Sequence, residues 1–370
     1  MAEVNMEQLL NCALCPNLCR CECPVLQATG REAVAPAGKA RIASLANEGK
    51  LYWDEVMLEA AINCLACRGC TIHCPFPELN LCDELLYSRL PAREQGVNLP
   101  SVEPYLNNLR KYSSPYGQKA GALVTENQPG EKAGGQKVLF FNGCTSLANH
   151  PGSIEAARSV LVRAGVSFQM IEEDCCGYPA QVWGDEDMAR QLAEENRRKF
   201  KDSGAELLVT SCPECWLTFS ERYPNLGQEL PLEIVDGPTY FLGLIKEGRL
   251  EPVEKSVTEA PGPKVVSYHD PCIWARTAEK TAEPREILGA IPGLEIKEPY
   301  ASGARTRCCG GGSMFQLAFP GTASAVAGRR LQEVPADAVL VTACPFCREG
   351  LLQGDKPVWE LIEVLDRFFK

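Results

Sequence analysis

Twenty cysteines stand in a chain of 370 residues, and most fall in short, regularly spaced groups instead of scattering through apolar segments. Thiols at such spacing pair as disulfides, bind zinc, or hold iron–sulfur clusters as thiolates. Disulfides belong to exported proteins, and Met1 to Leu10 (MAEVNMEQLL) offers no basic start, no long apolar run and no small-residue cleavage site. A cytoplasmic location is therefore expected, where thiols stay reduced and metal ligation outranks disulfide stapling.

Cys64, Cys67, Cys70 and Cys74 follow the spacing C-x2-C-x2-C-x3-C and run into Pro75. That is the spacing of bacterial two-cluster ferredoxins, in which the first three thiolates hold one [4Fe-4S] cubane and the fourth belongs to the other. Four-cysteine zinc sites instead come as two separated C-x2-C pairs. The partner motif is Cys12, Cys15, Cys19, Cys21 and Cys23 before Pro24, with three residues instead of two between Cys15 and Cys19 and an extra thiol at Cys21. Cys19 lies four residues before the Cys-Pro, as Cys70 does. On that basis Cys12, Cys15, Cys19 and Cys74 are assigned to one cubane and Cys23, Cys64, Cys67 and Cys70 to the other, with Cys21 the competing ligand to Cys19. This segment offers no acid, base or substrate pocket, so one-electron conduction is expected of it. His73 reads as a solvated loop histidine.

Ten further cysteines make up two sets in one order: Cys, then Cys-Cys-Gly, then Cys-Pro-x-Cys. The first set is Cys144, Cys175, Cys176, Cys212 and Cys215; the second is Cys272, Cys308, Cys309, Cys344 and Cys347. Five thiols exceed what one zinc or one ordinary cubane uses, so each set implies an unusual cluster or a cluster with a reactive thiolate. A glycine after each pair permits positive φ or close backbone approach. Cys21 and Cys82 are left over, and Cys82 reads as an ordinary buried thiol. His269 and Asp270 read as a structural turn, and Arg276, Arg285, Arg305 and Arg307 as solvated or paired surface charges.

The elements that must position these groups follow from apolar patterning. Up to residue 112 there are helical stretches such as Lys39 to Ala46 and Val56 to Ile62 and no strand alternation, so this piece is expected to be all-helical. Each five-cysteine piece opens on an apolar strand ending at a cysteine (from Lys137 and from Lys264). It continues through a helix (Ile154 to Ala164; Pro284 to Ala290) and a short strand (Val166 to Ile171; Leu294 to Lys297) to Cys-Cys-Gly. A long helix (Asp185 to Asp202; Phe315 to Glu333) then leads to a strand that runs into Cys-Pro-x-Cys. Strands alternating with helices indicate parallel α/β units, and parallel sheets bind ligands beyond the carboxyl ends of their strands, where these cysteines fall.

The fold class is accordingly a multidomain α+β chain: an all-helical ferredoxin-type domain over 1–112, then two pseudo-repeated α/β Cys-Cys-Gly domains over 137–250 and 264–370. Linkers rich in Gly, Pro and charge are expected over 113–136 and 251–263. No apolar run approaches the ~20 residues that span a bilayer, so membrane association would need a partner. A net charge of −11 argues against nucleic acid or an anionic membrane as ligand.

On these motifs the chain resembles the heterodisulfide reductase catalytic-subunit family, in its fused form of a ferredoxin followed by two Cys-Cys-Gly domains. It is also similar to the iron–sulfur subunits of glycolate oxidase and anaerobic glycerol-3-phosphate dehydrogenase. The resemblance takes in Thr29-Gly30 to Gly38-Lys39 and His269-Asp-Pro-Cys272 to Pro284-Arg285. It implies two cubane clusters, a noncubane [4Fe-4S] cluster in each five-cysteine set, and disulfide cleavage between those two. The glycolate-oxidase subunits tend to lack one thiol of the last pair, whereas both pairs are intact here, which favours a thiol–disulfide oxidoreductase with a small disulfide or thiol substrate. A flavoprotein partner is expected, since no G-x-G-x-x-G fingerprint is present. The alternative is an electron-transfer subunit of a flavin-dependent glycolate, lactate or glycerol-3-phosphate dehydrogenase that hands electrons to a membrane quinone or cytochrome partner.

Overall fold

The computed structural model describes residues 4–16, 18–76, 79–118, 125–127, 136–253 and 262–370. Through Tyr112 the described residues form helices and loops and no strand. These helices are short and start on local signals. Asn5 and Asp54 cap Met6–Leu14 and Glu55–Ile62 through side-chain oxygens that accept from Gln8 N and Met57 N, and Pro24 and Pro36 open two others. Small faces suffice to pack them: Leu9 and Ala13 bury against Ala40, Ala43, Leu81 and Leu85.

Beyond this module the chain forms two sheets. The first has the order β1 (Thr125–Asn127), β3 (Phe168–Met170), β2 (Val138–Phe141), β4 (Leu207–Thr210), β5 (Glu233–Asp236), all parallel except β1. The second is wholly parallel, in the order β7 (Glu295–Ile296), β6 (Val265–His269), β8 (Val339–Thr342), β9 (Val358–Glu360). In each, the chain moves to one side of the first parallel strand and then to the other. The strand order therefore reverses between β2 and β4, and between β6 and β8. A crevice opens at the carboxyl ends of strands at such a switch point, and Cys144, Cys212, Cys272 and Cys344 all follow strands that flank one.

Three features depart from the sequence expectations. Thr125–Asn127, inside the segment expected as a linker, is an antiparallel edge strand on β3; with no apolar alternation, only its backbone pairing reveals it. The rest of that segment over 119–124 and 128–135, and residues 254–261 of the second linker, lie outside the described residues, whereas Glu251 and Val253 bond to Lys370 and Phe368 along the backbone. The helix expected over Phe315 to Glu333 is broken into Phe315–Ala318 and Pro320–Leu331, because Pro320 lacks an N–H and drives Phe319 out of helical geometry (φ −134°, ψ 60°). Each sheet also gains a strand the patterning did not offer, β5 and β9.

The helical module and both repeats share one core, in which Val25 and Leu106 belong to the same cluster as Phe141, Phe200, Phe315 and Leu340. A second core joins the opposite faces of the two sheets, Val138 and Val209 of one with Val266 and Val341 of the other. A common core fixes the relative position of the three pieces as firmly as it fixes each piece.

Candidate metal centre

The twenty cysteines are free thiols, and all but Cys21 gather into four groups. Cys12, Cys15, Cys19 and Cys74 line a cavity of about 400 Å³ with Leu14, Leu18 and Phe76 on its walls. Burial and the neighbouring thiols Cys74 and Cys15 push Cys12 up to about 11. Burial and Cys12 push Cys19 up to about 12. Cys21 is exposed, with its sulfur turned to Leu18 O. Four sulfurs in an apolar hollow, where burial and neighbouring thiols oppose the ionisation of Cys12 and Cys19, suit a positively charged iron core.

A second cavity is lined by Cys23, Cys64, Cys67, Cys70 and also Cys82. In sequence Cys82 reads as an ordinary buried thiol; buried it is, but against this group, and after burial it is the largest influence raising Cys70. The positive side chains around it are not visible in the spacing. Lys39 is buried beside Cys23 and Cys67, and Arg89 reaches Cys64 while donating to Val182 O (2.6 Å) and Ala61 O (2.8 Å). Ala66 and Arg68 adopt φ of 48° and 55°, so the loop presents its sulfurs by way of strained backbone. His73 is half-buried at the end of its short helix, with Nδ1 3.0 Å from Gly69 O.

The first five-cysteine set forms a rim beyond β2 and β4. Side-chain hydrogen bonds run from Cys144 to Cys175, Cys176, Cys215 and Cys212 in turn. Its supports are polar, and Lys199 holds the turn before Cys175 through Glu172 O (3.1 Å) and Asp174 (2.7 Å). Glu173 accepts from Asn142 N (2.7 Å), Asn142 Nδ2 (2.9 Å) and Gly143 N (2.8 Å), fixing the turn before Cys144, and burial pushes its carboxyl up to about 7. Asn196 donates to Cys175 O and Tyr223 to Cys176 O, both at 3.0 Å.

The second set repeats the pattern from Cys308 to Cys309, Cys347 and Cys344, with Cys272 half-buried beside them. Here N–H groups of Gly311 and Cys347 donate to the sulfurs of Cys309 (3.4 Å) and Cys344 (3.3 Å). His269 lies on β6 and not in a turn: Nδ1 accepts from Arg330 Nε (3.0 Å), and one ring nitrogen falls within 4.8 Å of the sulfurs of Cys309 and Cys347. Asp270 clamps the loop by accepting from both terminal nitrogens of Arg285 (2.7 and 2.9 Å) and from Gly303 N (2.8 Å).

Gly177 and Gly310, each after its cysteine pair, take φ of 91° and 81°, and a Cβ on Gly310 would fall 2.4 Å from Ala323 O. Gly311 is equally tight, its Cβ position 2.1 Å from Phe346 O. The glycine run thus packs backbone on backbone.

The rims face one another. Burial raises Cys212, and Cys344 lies close enough to raise it further, while Trp216 packs on Trp274 with ring centroids 5.4 Å apart. Glu214, from the first Cys-Pro-x-Cys, accepts from Ser313 N of the second set's glycine loop (2.6 Å), and its other oxygen is buried with no hydrogen-bond partner among the described residues. Burial holds this carboxyl well above the usual range, and Cys176 and Cys309 add to the effect from either rim.

Two family models match the chain where these groups lie: the cysteine-rich CCG domain over 138–220 and again over 266–351, and the 4Fe-4S dicluster domain over 8–77. This chain belongs to the iron–sulfur proteins that join a dicluster domain to tandem CCG domains. Similar relatives include one of the subunits of dihydromethanophenazine:CoB–CoM heterodisulfide reductase from Methanosarcina mazei, 34% identical over 242 residues that cover 62% of this chain and 58% of that protein. One of the subunits of fumarate reductase (CoM/CoB) from Methanothermobacter marburgensis is 30% identical over 323 residues, covering 82% of this chain and 60% of that one. The EtfAB:quinone oxidoreductase of Syntrophomonas wolfei is 26% identical over 334 residues, covering 84% and 45%. The chain spans about three fifths of the length of the heterodisulfide reductase subunits it matches. A solved structure of a hypothetical protein from Helicobacter pylori shares the fold at a TM-score of 0.54 and 12% identity, over 89% of this chain and 67% of that one.

As a dicluster and CCG-domain protein the chain has the fold class its strand and helix order implied, an N-terminal helical module and two parallel sheets, one per CCG domain. No helix among the described residues is long and apolar enough to cross a membrane. The residues that the cysteine spacing could not reveal are Glu214, Arg276 and Arg89, which bridge modules, and Cys82, which joins the inner group within its own module. Each looks like an ordinary side chain in sequence and acquires its neighbours only through long-range packing.

Proposed function

We propose that the chain is an oxidoreductase of the heterodisulfide-reductase type. Cys12, Cys15, Cys19 and Cys74 hold one cubane [4Fe-4S] cluster and Cys23, Cys64, Cys67 and Cys70 a second. Each CCG set holds a noncubane [4Fe-4S] cluster, and the module boundaries fall at residues 1–112, 137–250 and 264–370. Bound clusters supply electrons one at a time. A disulfide that accepts two electrons and two protons loses its S–S bond and leaves as two thiols, and the electrons come from a reduced flavoprotein partner.

The observation that carries this reading is the apposition of two complete five-thiol rims, Cys212 beside Cys344 with Glu214 tied to Ser313 between them. A two-electron cleavage needs two one-electron donors at one place, and a single rim would not supply them. The chain's own residues do the holding: the Glu214–Ser313 bond and the Trp216–Trp274 pair set the separation of the rims, and the packed glycines keep side chains out of the space around Cys309.

Anaerobically purified protein should contain roughly sixteen irons with matching sulfide, from four four-iron clusters. Reduced protein offered low-molecular-weight disulfides should release thiols in proportion to electrons consumed. About eight irons would remove the noncubane clusters, and stoichiometric zinc the whole proposal. Absence of thiol release with every disulfide tried, beside rapid reduction by a hydroxyacid-oxidising flavoprotein, would leave an electron-transfer role instead.

A further inference from the structure

The two rims are not placed alike toward the dicluster module. Cys67 of the module lies against the second rim: its side chain neighbours Cys308 and Cys272, and its carbonyl accepts from Arg276 of the Cys272–Arg276 helix. On the first rim, Cys175 N donates to Ser113 O (2.8 Å), the residue just past the module's last helix.

Arg276 occupies the junction. It is the last residue of the Cys272–Arg276 helix and is half-buried. Its guanidinium donates to three carbonyls: Cys67 O from the module, and Ala304 O (2.9 Å) and Thr306 O from the segment that leads into Cys308. Gly69 lies beside both Arg276 and Cys67: its Cβ position is 3.6 Å from Arg276 Nη1 and 3.5 Å from Cys67 Sγ, ordinary contact distances. Among the described residues no carboxylate forms an ion pair with Arg276, so its charge stands uncompensated beside the Cys67 loop. A surface arginine would be solvated or paired with an acid; this one is half-buried and gives its donors to three backbone carbonyls. Its fork spans two modules, and a planar guanidinium holds such a fork where an ammonium does not.

We propose that Arg276 is a positioning residue for electron transfer between the Cys23, Cys64, Cys67 and Cys70 site and the second rim, which makes that rim the point where electrons enter the paired CCG domains. Its fork keeps the Cys67 loop seated on the Cys308 segment, and its uncompensated charge favours the more negative, reduced form of the sites on either side. Each transfer moves one electron, oxidising the module site and reducing the rim; no bond is made or broken, and Arg276 keeps its protons. This role rests on the cluster assignment above.

The test compares anaerobic wild-type holoprotein with Arg276→Gln and Arg276→Lys, each first assayed for iron and sulfide. Redox-poised EPR reports the potentials of the module and second-rim clusters, and flash reduction by photoreduced deazaflavin reports the rate at which electrons reach the rims. With iron retained, Arg276→Gln should lower the reduced-to-oxidised ratio at the junction about tenfold at fixed potential, equivalent to about 59 mV for one electron. It should also slow arrival at the second rim tenfold or more. Arg276→Lys, which keeps charge and loses the fork, should hold the potential near wild type and still slow arrival. Wild-type potentials and rates in an iron-replete variant would overturn the inference. If Arg276→Gln loses iron, Arg276→Lys decides, with a wild-type rate counting against the proposal. Wild-type protein without iron would instead overturn the underlying cluster assignment.

Discussion

The two CCG domains carry the same five thiols in the same order but surround them differently. Phe141 pairs across its sheet with Thr210 and His269 with Thr342, each threonine two residues before the first cysteine of Cys-Pro-x-Cys, so Phe141 and His269 occupy equivalent positions. Phe141 is packed edge-on by Phe200 and Phe219, at 5.8 and 4.9 Å between ring centroids. His269 instead holds Arg330 and lies against Cys309. The glycines after the cysteine pairs set a second equivalence: Gly177 abuts Ala189 and Gly310 abuts Ala323, which places Asn196 seven residues on in one domain and Arg330 seven residues on in the other. One rim therefore has an aromatic ring and a neutral amide where the other has an imidazole and a guanidinium. Arg330 is paired with Glu333 (2.8 Å), so the charge that distinguishes the second rim is that of Arg276, which has no carboxylate partner among the described residues and would favour a reduced cluster beside it. The repeat keeps the five thiols and differs in their surroundings, as expected if electrons reach one rim before the other.

The sharpest way to break this comparison is to remove one ligand from each rim in turn. Cys309→Ser and Cys176→Ser should each cost about four of roughly sixteen irons and lower disulfide turnover at least a hundredfold. Only Cys309→Ser should strand the remaining rim, leaving its cluster oxidised when electrons are supplied through the dicluster module and followed by EPR. Equal reduction of the surviving rim in both variants would show that the rims are fed in parallel.

Next in size is the anchor of the module on the first CCG domain. Asp83 receives Arg222 and Arg68 (3.1 Å to the latter), and Arg222 also donates to Tyr87 OH (2.9 Å). Asp83→Asn should destabilise the holoprotein by about 3 kcal/mol in anaerobic thermal unfolding, since two largely buried arginines lose their carboxylate. Burial acts to raise the Asp83 pKa, but Arg222 and Arg68 outweigh it and hold the carboxyl below its usual value. A depressed folded pKa contributes stability that is fully present above the unfolded value near pH 4 and is lost as pH falls through the folded one. The difference between wild type and Asp83→Asn should therefore be flat from pH 6 to 9.

His269→Phe makes the second rim resemble the first. It should cost about 1–3 kcal/mol, because buried Arg330 Nε loses its acceptor, and should alter the EPR signal of the second rim while leaving the first unchanged. An unchanged spectrum would reduce the comparison to packing.

The smallest expected effect separates Cys19 from Cys21. Cys21→Ser should leave the iron content at the wild-type value, and Cys19→Ser should lose about four irons. The reverse result would reassign the outer cubane, despite the exposure of Cys21 and the burial of Cys19 among Cys12, Cys15 and Cys74.

Much of this protein was legible along the chain because its chemistry is local. The spacing of Cys64, Cys67, Cys70 and Cys74 fits a single turn and loop, and Cys-Cys-Gly and Cys-Pro-x-Cys each fit one strand end, so sequence order alone conveys what they hold. Apolar runs such as Val138–Phe141 and Val339–Thr342, alternating with helical stretches, likewise sufficed for parallel α/β domains. Less was legible where backbone pairing or a single proline decided the outcome, as at Thr125–Asn127 and Pro320.

The tertiary structure alone decided how the four thiol groups are joined. Nothing in the sequence brings Cys67 to Cys308 or Glu214 to Ser313, for these partners lie as much as 241 residues apart and meet only because one core packs three modules together. Ligand identity is a property of residue type and short spacing, which the chain carries in itself. Connection between sites depends on distance through the packed interior, which exists only once the chain has folded.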